Sequence, residues 1–164
     1  MKVIGFSAGS VGREGNIDRM VKAILDRSGH EAEFVKLTDL NFSGCKGCVQ
    51  LCARPQVCKL KDDAQPYYQK VREADAVVIG TPVYFGNMSS LCKAFLDRCM
   101  AFRKNDFALR DKVGGVLAVG AARNGGQELT LQSVLAAMLC QEMIVVGDGR
   151  PTAHFGGTLL NDGK

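Results

Sequence analysis

The sequence has few histidines, no long apolar run and little excess charge, and each shortage removes a class of function. Only His30 and His154 occur among 164 residues, so we expect neither a histidine-based metal site nor a histidine-dependent hydrolytic triad. No run approaches the about eighteen apolar residues that a membrane span needs. The net charge is +4 and the basic residues are scattered, so small anionic molecules are expected as partners rather than nucleic acid or a membrane.

Length and the amino-terminal residues predict a single cytoplasmic domain. The 164 residues, 46% of them hydrophobic, suffice for one substantial core, so residues 1–164 form one predicted domain. The apolar run at residues 1–6 is too short for a signal peptide and predicts a first strand. Because disulfides rarely persist inside cells, the seven cysteines indicate metal binding or thiol chemistry.

Strand-like and helix-like segments alternate along the chain. Apolar runs predict five strands, at 3–6, 32–37, 76–80, 113–119 and 143–146. Helical spacing predicts four helices, at 17–28, 62–73 with a cap at Asp62-Asp63, 89–102 and 127–141. No element is predicted after residue 146. Strands buried on both faces and separated by helices predict an α/β fold with a doubly wound, five-stranded parallel sheet, and they fit the flavodoxin-like order 2-1-3-4-5.

A glycine-rich loop follows the first strand and opens a helix. Gly12 and Gly15 let the backbone turn and expose its N–H groups. The Ser10 hydroxyl and the Asn16 amide can donate hydrogen bonds, and Arg13 adds positive charge. The spacing matches neither the dinucleotide fingerprint nor the Walker motif, so the loop suits a single phosphate, such as that of FMN. The alternative is an ordinary strand-to-helix turn without a ligand.

Two further loops follow the third and fourth strands, at the same end of a parallel sheet. One carries a proline, two aromatic side chains, a glycine and a polar cap: Pro82, Val83, Tyr84, Phe85, Gly86 and Asn87. The other is rich in small residues and includes Ala121, Ala122, Arg123 and Gly125. Such backbone can pack on a flat ring, and Arg123 can place positive charge near an anionic reduced flavin. The alternatives are a helix start with Tyr84 and Phe85 in the core, and an ordinary glycine turn.

These segments together resemble the NADPH-dependent FMN reductase-like family over nearly the whole chain. The resemblance rests, in order, on Gly9-Ser10, Gly15-Asn16, Thr81-Pro82-Val83-Tyr84, Lys93, Asp97-Arg98 and Gly125-Gly126-Gln127-Glu128. It implies that the FMN phosphate is bound at Ser10, Arg13 and Asn16, and that the isoalloxazine ring lies against residues 82–87 and 121–125. Ile17 departs from the family, which usually has threonine or serine there, so a hydroxyl contact to the phosphate is missing.

Four cysteines lie close together in a stretch without periodicity, residues 41–61. They are Cys45, Cys48, Cys52 and Cys58. Their spacing, C-x2-C-x3-C-x5-C, can wrap a [4Fe–4S] cluster or a zinc ion, and the single two-residue spacing favours the cluster. With the following Lys61-Asp62-Asp63, the run resembles the iron–sulfur flavoprotein branch of the family, which commonly has two residues between its second and third cysteines. Zinc, a disulfide, or free thiols in an FMN reductase are the alternatives.

The predicted function is electron transfer between a [4Fe–4S] cluster and FMN, with no catalytic side chain. The expected partners are an electron donor such as ferredoxin or NAD(P)H and a small-molecule acceptor. A homodimer or homotetramer is expected, because an isolated surface cluster would lie far from a flavin. One alternative is an NAD(P)H-dependent FMN or quinone reductase without a cluster, and another is a flavodoxin-like scaffold or sensor that has lost FMN. The remaining cysteines, Cys92, Cys99 and Cys140, are expected in the core.

Overall fold

Seven strands and six helices make up the described part of the chain, residues 1–52 and 58–161 of a computed structural model. The strands are β1 (Lys2–Ser7), β2 (Glu31–Lys36), β3 (Ala76–Tyr84), β4 (Asn87–Met88), β5 (Val113–Gly120), β6 (Ile144–Val146) and β7 (Gly157–Leu160). The helices are α1 (Asn16–Ser28), α2 (Val49–Cys52), α3 (Gln65–Glu73), α4 (Ser90–Asp97), α5 (Met100–Arg103) and α6 (Gln127–Leu139). None of these helices combines the length and the apolar character that crossing a membrane requires.

The parallel sheet has the order β2-β1-β3-β5-β6, which confirms the predicted order. The fifth position is shared by two strands, because β6 pairs with Val113–Gly115 and β7 pairs with Leu117–Gly120. The segment 147–156 therefore interrupts one long strand, and β7 is an element that the sequence did not predict. β4 lies off this path and pairs antiparallel with the end of β3.

Alternate residues of the central strands pack on the two faces of the sheet. On one face, Val78 and Leu117 pack with Val21 of α1. On the other face, Ile79 belongs to the same buried cluster as Phe95 of α4. Helices therefore cover both faces of the central strands. Burial of each such side chain contributes about 1.5–3 kcal/mol to the stability of the fold.

The helix predicted over 89–102 is two helices, because the chain turns at Arg98. The Arg98 N–H donates to the carbonyl of Phe95, and the Cys99 N–H donates to the carbonyl of Leu96. Both bonds span three residues instead of four, which tightens the backbone and ends α4.

The predicted cap at Asp62-Asp63 is wrong, since α3 begins at Gln65. Asp63 accepts the N–H of Asn41 at 2.8 Å, and Asp62 forms an ion pair with Arg98. Both carboxylates therefore fix tertiary contacts and are not available to cap the helix.

Two of the three cysteines expected in the core are buried and one is not. Burial raises the pKa of Cys92 and of Cys99 to about 12, so neither thiol ionises near neutral pH. Cys140 is exposed, because it follows the last turn of α6 at the surface.

Candidate functional site

A cavity of about 200 Å³ lies at the carboxyl ends of β1, β3 and β5, where the strand order reverses. Eight of the sixteen predicted cofactor-binding residues line it: Ser10, Gly15, Asn16, Ile17, Pro82, Val83, Tyr84 and Ala121. The other eight belong to the same loops without lining the cavity: Gly12, Arg13, Phe85, Gly86, Asn87, Ala122, Arg123 and Gly125. Larger hollows of about 410 and 670 Å³ include the amino ends of the strands, where parallel sheets rarely bind ligands.

Asn161 also lines the cavity, although it was not predicted as a site residue. β7 continues along β5 to the carboxyl edge, and the Asn161 N–H then donates to the Gly120 carbonyl at 2.8 Å. Its side-chain oxygen accepts from the Asn16 amide at 3.4 Å. The apolar pair Leu159-Leu160 after two glycines is the sequence signal that could have indicated this strand.

The loop between β1 and α1 is held at both ends by the buried carboxylate of Asp18. Its Oδ1 accepts from the Ser7 hydroxyl at 2.5 Å, and that hydroxyl accepts the Gly9 N–H at 3.1 Å. Its Oδ2 accepts the Gly15 N–H at 2.9 Å. The loop that carries Ser10 is therefore fixed before any ligand binds. The helix α1 begins at the cavity, so its first N–H groups, which have no partner within the helix, lie there.

Lys36 neutralises the charge of Asp18. Its Nζ donates to Asp18 Oδ2 at 2.9 Å and to the Arg13 carbonyl at 2.6 Å. Burial acts to raise the pKa of Asp18, but the hydrogen bonds from Ser7, Gly15 and Lys36 outweigh burial, so the pKa is lowered. Because this carboxylate is paired, it does not repel an anion bound at the helix start. Neither Asp18 nor Lys36 was predicted as part of the site.

The second loop is a tight hairpin between β3 and β4. Phe85 and Gly86 both have positive φ, 52° and 74°, as a two-residue hairpin turn of this hand requires. The Phe85 side chain is fully exposed and that of Tyr84 is 59% exposed, so the alternative that places both in the core is wrong. Thr81 fixes the base of the hairpin, because its hydroxyl accepts the Ser89 N–H at 3.1 Å.

The third loop is held by Gln127, a buried side chain at the start of α6. Its Nε2 donates to the Ala122 carbonyl at 2.8 Å, and its Oε1 accepts the Gly125 N–H at 3.0 Å. At Gly126 this loop comes close to the backbone of the hairpin, because a Cβ on Gly126 would lie 2.7 Å from the Cα of Gly86. The second and third loops therefore form one continuous backbone surface next to the cavity.

The structure brings only some of the four cysteines of the cysteine-rich segment together. Cys52 and Cys58 are buried and pack with Ala101 of α5, while Cys48 is half-buried and Cys45 is exposed. Burial, followed by the nearby thiols of the other three cysteines, raises the pKa of Cys52. Within residues 1–52 and 58–161, no three Cys, His, Asp or Glu side chains are close enough to hold a metal ion. The part of the predicted loop between Cys52 and Cys58 lies outside the described residues.

A buried cation lies beside this segment. The Arg98 guanidinium pairs with Asp62, with Nη1 at 2.6 Å from Oδ2 and 2.8 Å from Oδ1. It stacks over the Tyr68 ring at 4.9 Å from the ring centroid, and Nη2 donates to the Leu60 carbonyl at 3.4 Å. Burial acts to lower the pKa of Arg98, but Asp62 and Cys58 both act to raise it, so the guanidinium stays charged beside Cys58.

A doubly wound sheet of this order, with three loops converging at the crossover edge, defines the flavodoxin-like class of proteins. Residues 1–157 match the family described as NADPH-dependent FMN reductase. The chain belongs to this family, as its sequence resemblance predicted, and is a flavin-dependent oxidoreductase.

Relatives and solved structures agree with this assignment. An iron–sulfur flavoprotein from Methanocaldococcus jannaschii is 46% identical over 161 residues, which cover 96% of this chain and 82% of that protein. An iron–sulfur flavoprotein from Methanosarcina thermophila is 39% identical over 164 residues, covering 98% of this chain and 83% of that protein. The structure of a WrbA-like flavodoxin protein from Agrobacterium tumefaciens matches with a TM-score of 0.71 at 20% identity, covering 98% of this chain and 83% of that one, which supports the fold.

Proposed function

We propose that the protein transfers electrons between a [4Fe–4S] cluster held by the cysteine-rich segment and FMN bound at the carboxyl edge of the sheet. The observation that carries the flavin half is the convergence of three preorganised loops on one cavity at the crossover edge. When bound, FMN exchanges electrons singly or in pairs, and the cluster exchanges them singly.

The residues of the first loop fit a phosphate monoester. Ser10 and Asn16 line the cavity with a hydroxyl and an amide, and α1 begins there with N–H groups that have no partner within the helix. Ile17 lines it with an apolar side chain and contributes no hydrogen bond. We assign the phosphate to this side of the cavity, with Arg13 supplying positive charge from the same loop.

The second and third loops fit a flat ring. Pro82 to Tyr84 and Ala121 line the cavity with backbone and small or planar groups. The Phe85 ring is fully exposed although its backbone has a positive φ, and such strain often accompanies a ligand site. We assign the isoalloxazine ring to this side, with Arg123 near its polar edge.

The cluster half is supported by the cysteines themselves. Cys52 and Cys58 are already adjacent and buried, and Arg98 supplies a buried positive charge beside Cys58. A cluster with four thiolate ligands carries net negative charge, so it needs such compensation. The names of the two relatives support the same assignment.

The test is an iron and flavin assay on anaerobically prepared protein, with a visible absorption spectrum. We expect about four irons and about one FMN per chain, with broad visible absorbance from the cluster. Cys58→Ser should lose the iron, while Cys140→Ser, which removes an exposed cysteine outside the segment, should keep it. Full iron loading in both variants would exclude Cys58 as a ligand, and no iron in the wild-type chain after anaerobic reconstitution would exclude the cluster.

An NAD(P)H-dependent FMN or quinone reductase without a cluster is the second candidate. It is favoured by the family description and by the four cysteines, which the described structure does not bring to metal-ligand distance. In that case the protein binds FMN, oxidises NAD(P)H directly and contains no iron. Stopped-flow oxidation of NAD(P)H by iron-free protein separates the two candidates, because the first proposal needs the cluster for turnover with a one-electron donor such as ferredoxin. A homodimer or homotetramer remains a prediction, which light scattering of the loaded protein tests.

A further inference from the structure

The backbone of Asn161 is held at the cavity by the central strand of the sheet. β7 pairs in parallel with β5 as far as Leu160, which lies opposite Gly120. The next residue, Asn161, then donates its N–H to the Gly120 carbonyl at 2.8 Å. Gly120 and Asn161 both line the 200 Å³ cavity. The position of Asn161 relative to the other cavity residues is therefore fixed by backbone hydrogen bonds.

The side chain of Asn161 contacts a residue that we assign to the phosphate. Its Oδ1 accepts a hydrogen bond from Nδ2 of Asn16 at 3.4 Å, and Asn16 is the first residue of α1. An amide nitrogen carries two N–H groups. The contact with Asn161 uses one of them, so the second stays available to a ligand in the cavity that both side chains line.

The orientation of the Asn16 amide decides whether this side chain attracts or repels a phosphate. An amide carries its donors and its acceptor on different atoms, and rotation about its last side-chain bond exchanges their positions. With its nitrogen toward the phosphate, Asn16 donates a charge-assisted hydrogen bond, whereas its oxygen would place partial negative charge there. The Ser10 hydroxyl has donor and acceptor on one atom and adapts by rotation. Asn16 therefore needs a neighbour that accepts from its nitrogen, and Asn161 Oδ1 is such an acceptor.

We propose that Asn161 is a positioning residue for the FMN phosphate: its side-chain oxygen orients the Asn16 amide so that Asn16 donates to the phosphate. This inference rests on the flavin half of the proposed function, since it requires a phosphate beside Asn16, and it is independent of the cluster. Riboflavin differs from FMN only in lacking the phosphate group. Asn161 therefore contributes to discrimination between the two flavins from a strand on the far side of the cavity from α1 in the sequence.

The experiment is a double-mutant cycle read with two ligands. Fluorescence titration gives the dissociation constants of FMN and of riboflavin for the wild type, Asn161→Leu, Asn16→Ala and the double variant. Leucine has the branched shape of asparagine without its polar atoms, so Asn161→Leu removes the acceptor. The matched control is Thr158→Ala, because Thr158 is exposed on β7 and does not line the cavity. Thermal unfolding of the same samples shows that each variant is folded.

We expect Asn161→Leu to weaken FMN binding about tenfold while leaving riboflavin binding and the control unchanged. In the Asn16→Ala background the same substitution should have little further effect on FMN, because no amide is left to orient.

Three results would overturn the inference: unchanged FMN binding in Asn161→Leu, an equal loss for both flavins, or a loss of FMN binding that persists in the Asn16→Ala background. If the leucine variant does not fold, Asn161→Ala takes its place and is judged by the same three results. A wild-type chain that binds neither flavin refutes the proposed function and the inference with it, whereas the other results refute the inference alone.

Discussion

Ser89 and Arg98 stand at the two ends of the same short helix and tie it to the two halves of the proposed site. Ser89 caps α4 by accepting the Cys92 N–H at 3.2 Å. Its own N–H donates to Thr81 at the base of the hairpin between β3 and β4. Arg98 ends α4 and pairs with Asp62 beside the cysteine-rich segment. Eight residues of helix rise about 12 Å, so the proposed flavin and cluster regions are connected by one rigid element.

Asp18→Asn should loosen the phosphate loop and destabilise the protein. The substitution leaves the Lys36 ammonium without its carboxylate and weakens the bonds to Ser7 and Gly15. Breaking a buried ion pair in this way costs about 3 kcal/mol, and FMN affinity should fall with loop order. Urea unfolding and FMN fluorescence titration measure the two effects. Glu14→Gln, which removes the exposed pair with Lys22 in the same loop, is the control and should change neither. Equal effects of the two substitutions would show that Asp18 does not hold the loop.

The contribution of Asp18 to stability should disappear in acid. Its pKa in the folded protein is lowered, so the contribution is complete above the unfolded value of about 3.9 and is lost as the pH falls through the folded pKa. The difference in unfolding free energy between wild type and Asp18→Asn should therefore shrink below about pH 4. Urea unfolding from pH 7 downward measures it. A difference that stays constant over that range would contradict the assigned ion pair.

Ile17→Thr should tighten FMN binding about tenfold, because a hydroxyl at the start of α1 adds a hydrogen bond to a charged phosphate. Ile17 is buried and lines the cavity, so the new hydroxyl faces the proposed phosphate position. Ile17→Val is the control, since valine and threonine have nearly the same shape. Both variants lose about 1 kcal/mol of stability through the missing methyl group, and the flavin-free threonine variant loses more because its hydroxyl is buried. Equal FMN dissociation constants for the two variants would place the phosphate elsewhere.

Phe85→Asn should stabilise the flavin-free protein by about 1 kcal/mol. Phe85 has a φ of 52°, which is unfavourable for a side chain with a Cβ, and its ring is fully exposed. Asparagine followed by Gly86 is the pair that this type of hairpin turn prefers. Thermal unfolding should show a midpoint raised by about 2–4 °C. Phe85→Ala loses the same ring without relieving the backbone and should show no gain; a rise in both would refute strain as the cause.

The sequence predicted those features that repeat along the chain. Short apolar runs such as residues 76–80 indicated buried strands, and their alternation with helices indicated the sheet order. The glycine loop around Gly12 and the aromatic run at Tyr84-Phe85 were found because each follows a strand, and all such loops meet at one edge.

Contacts between distant residues left no such signal. Lys36 meets Asp18 eighteen positions away, and Arg98 meets Asp62 across thirty-six, because strands and helices bring them together. Asp62 next to Asp63 was interpreted as a helix cap, a local rule that the tertiary ion pair overrides. Asn161 reaches the cavity because it follows β7. That strand has only four residues and comes after an irregular segment, so it is too short to show a periodic pattern in the sequence.

The interrupted fifth strand provides a position for labelling the protein. β6 and β7 pair with separate stretches of β5, so neither depends on the length of the segment 147–156 for its register. The segment is closed at its stem, where the Asp148 carboxylate accepts the His154 N–H, and its tip around Pro151 is exposed. An epitope or a fluorophore inserted at that tip would sit in a closed loop at the sheet edge, and none of the residues 147–156 lines the 200 Å³ cavity. Its emission would then follow folding of the sheet without competing with flavin for the same surface.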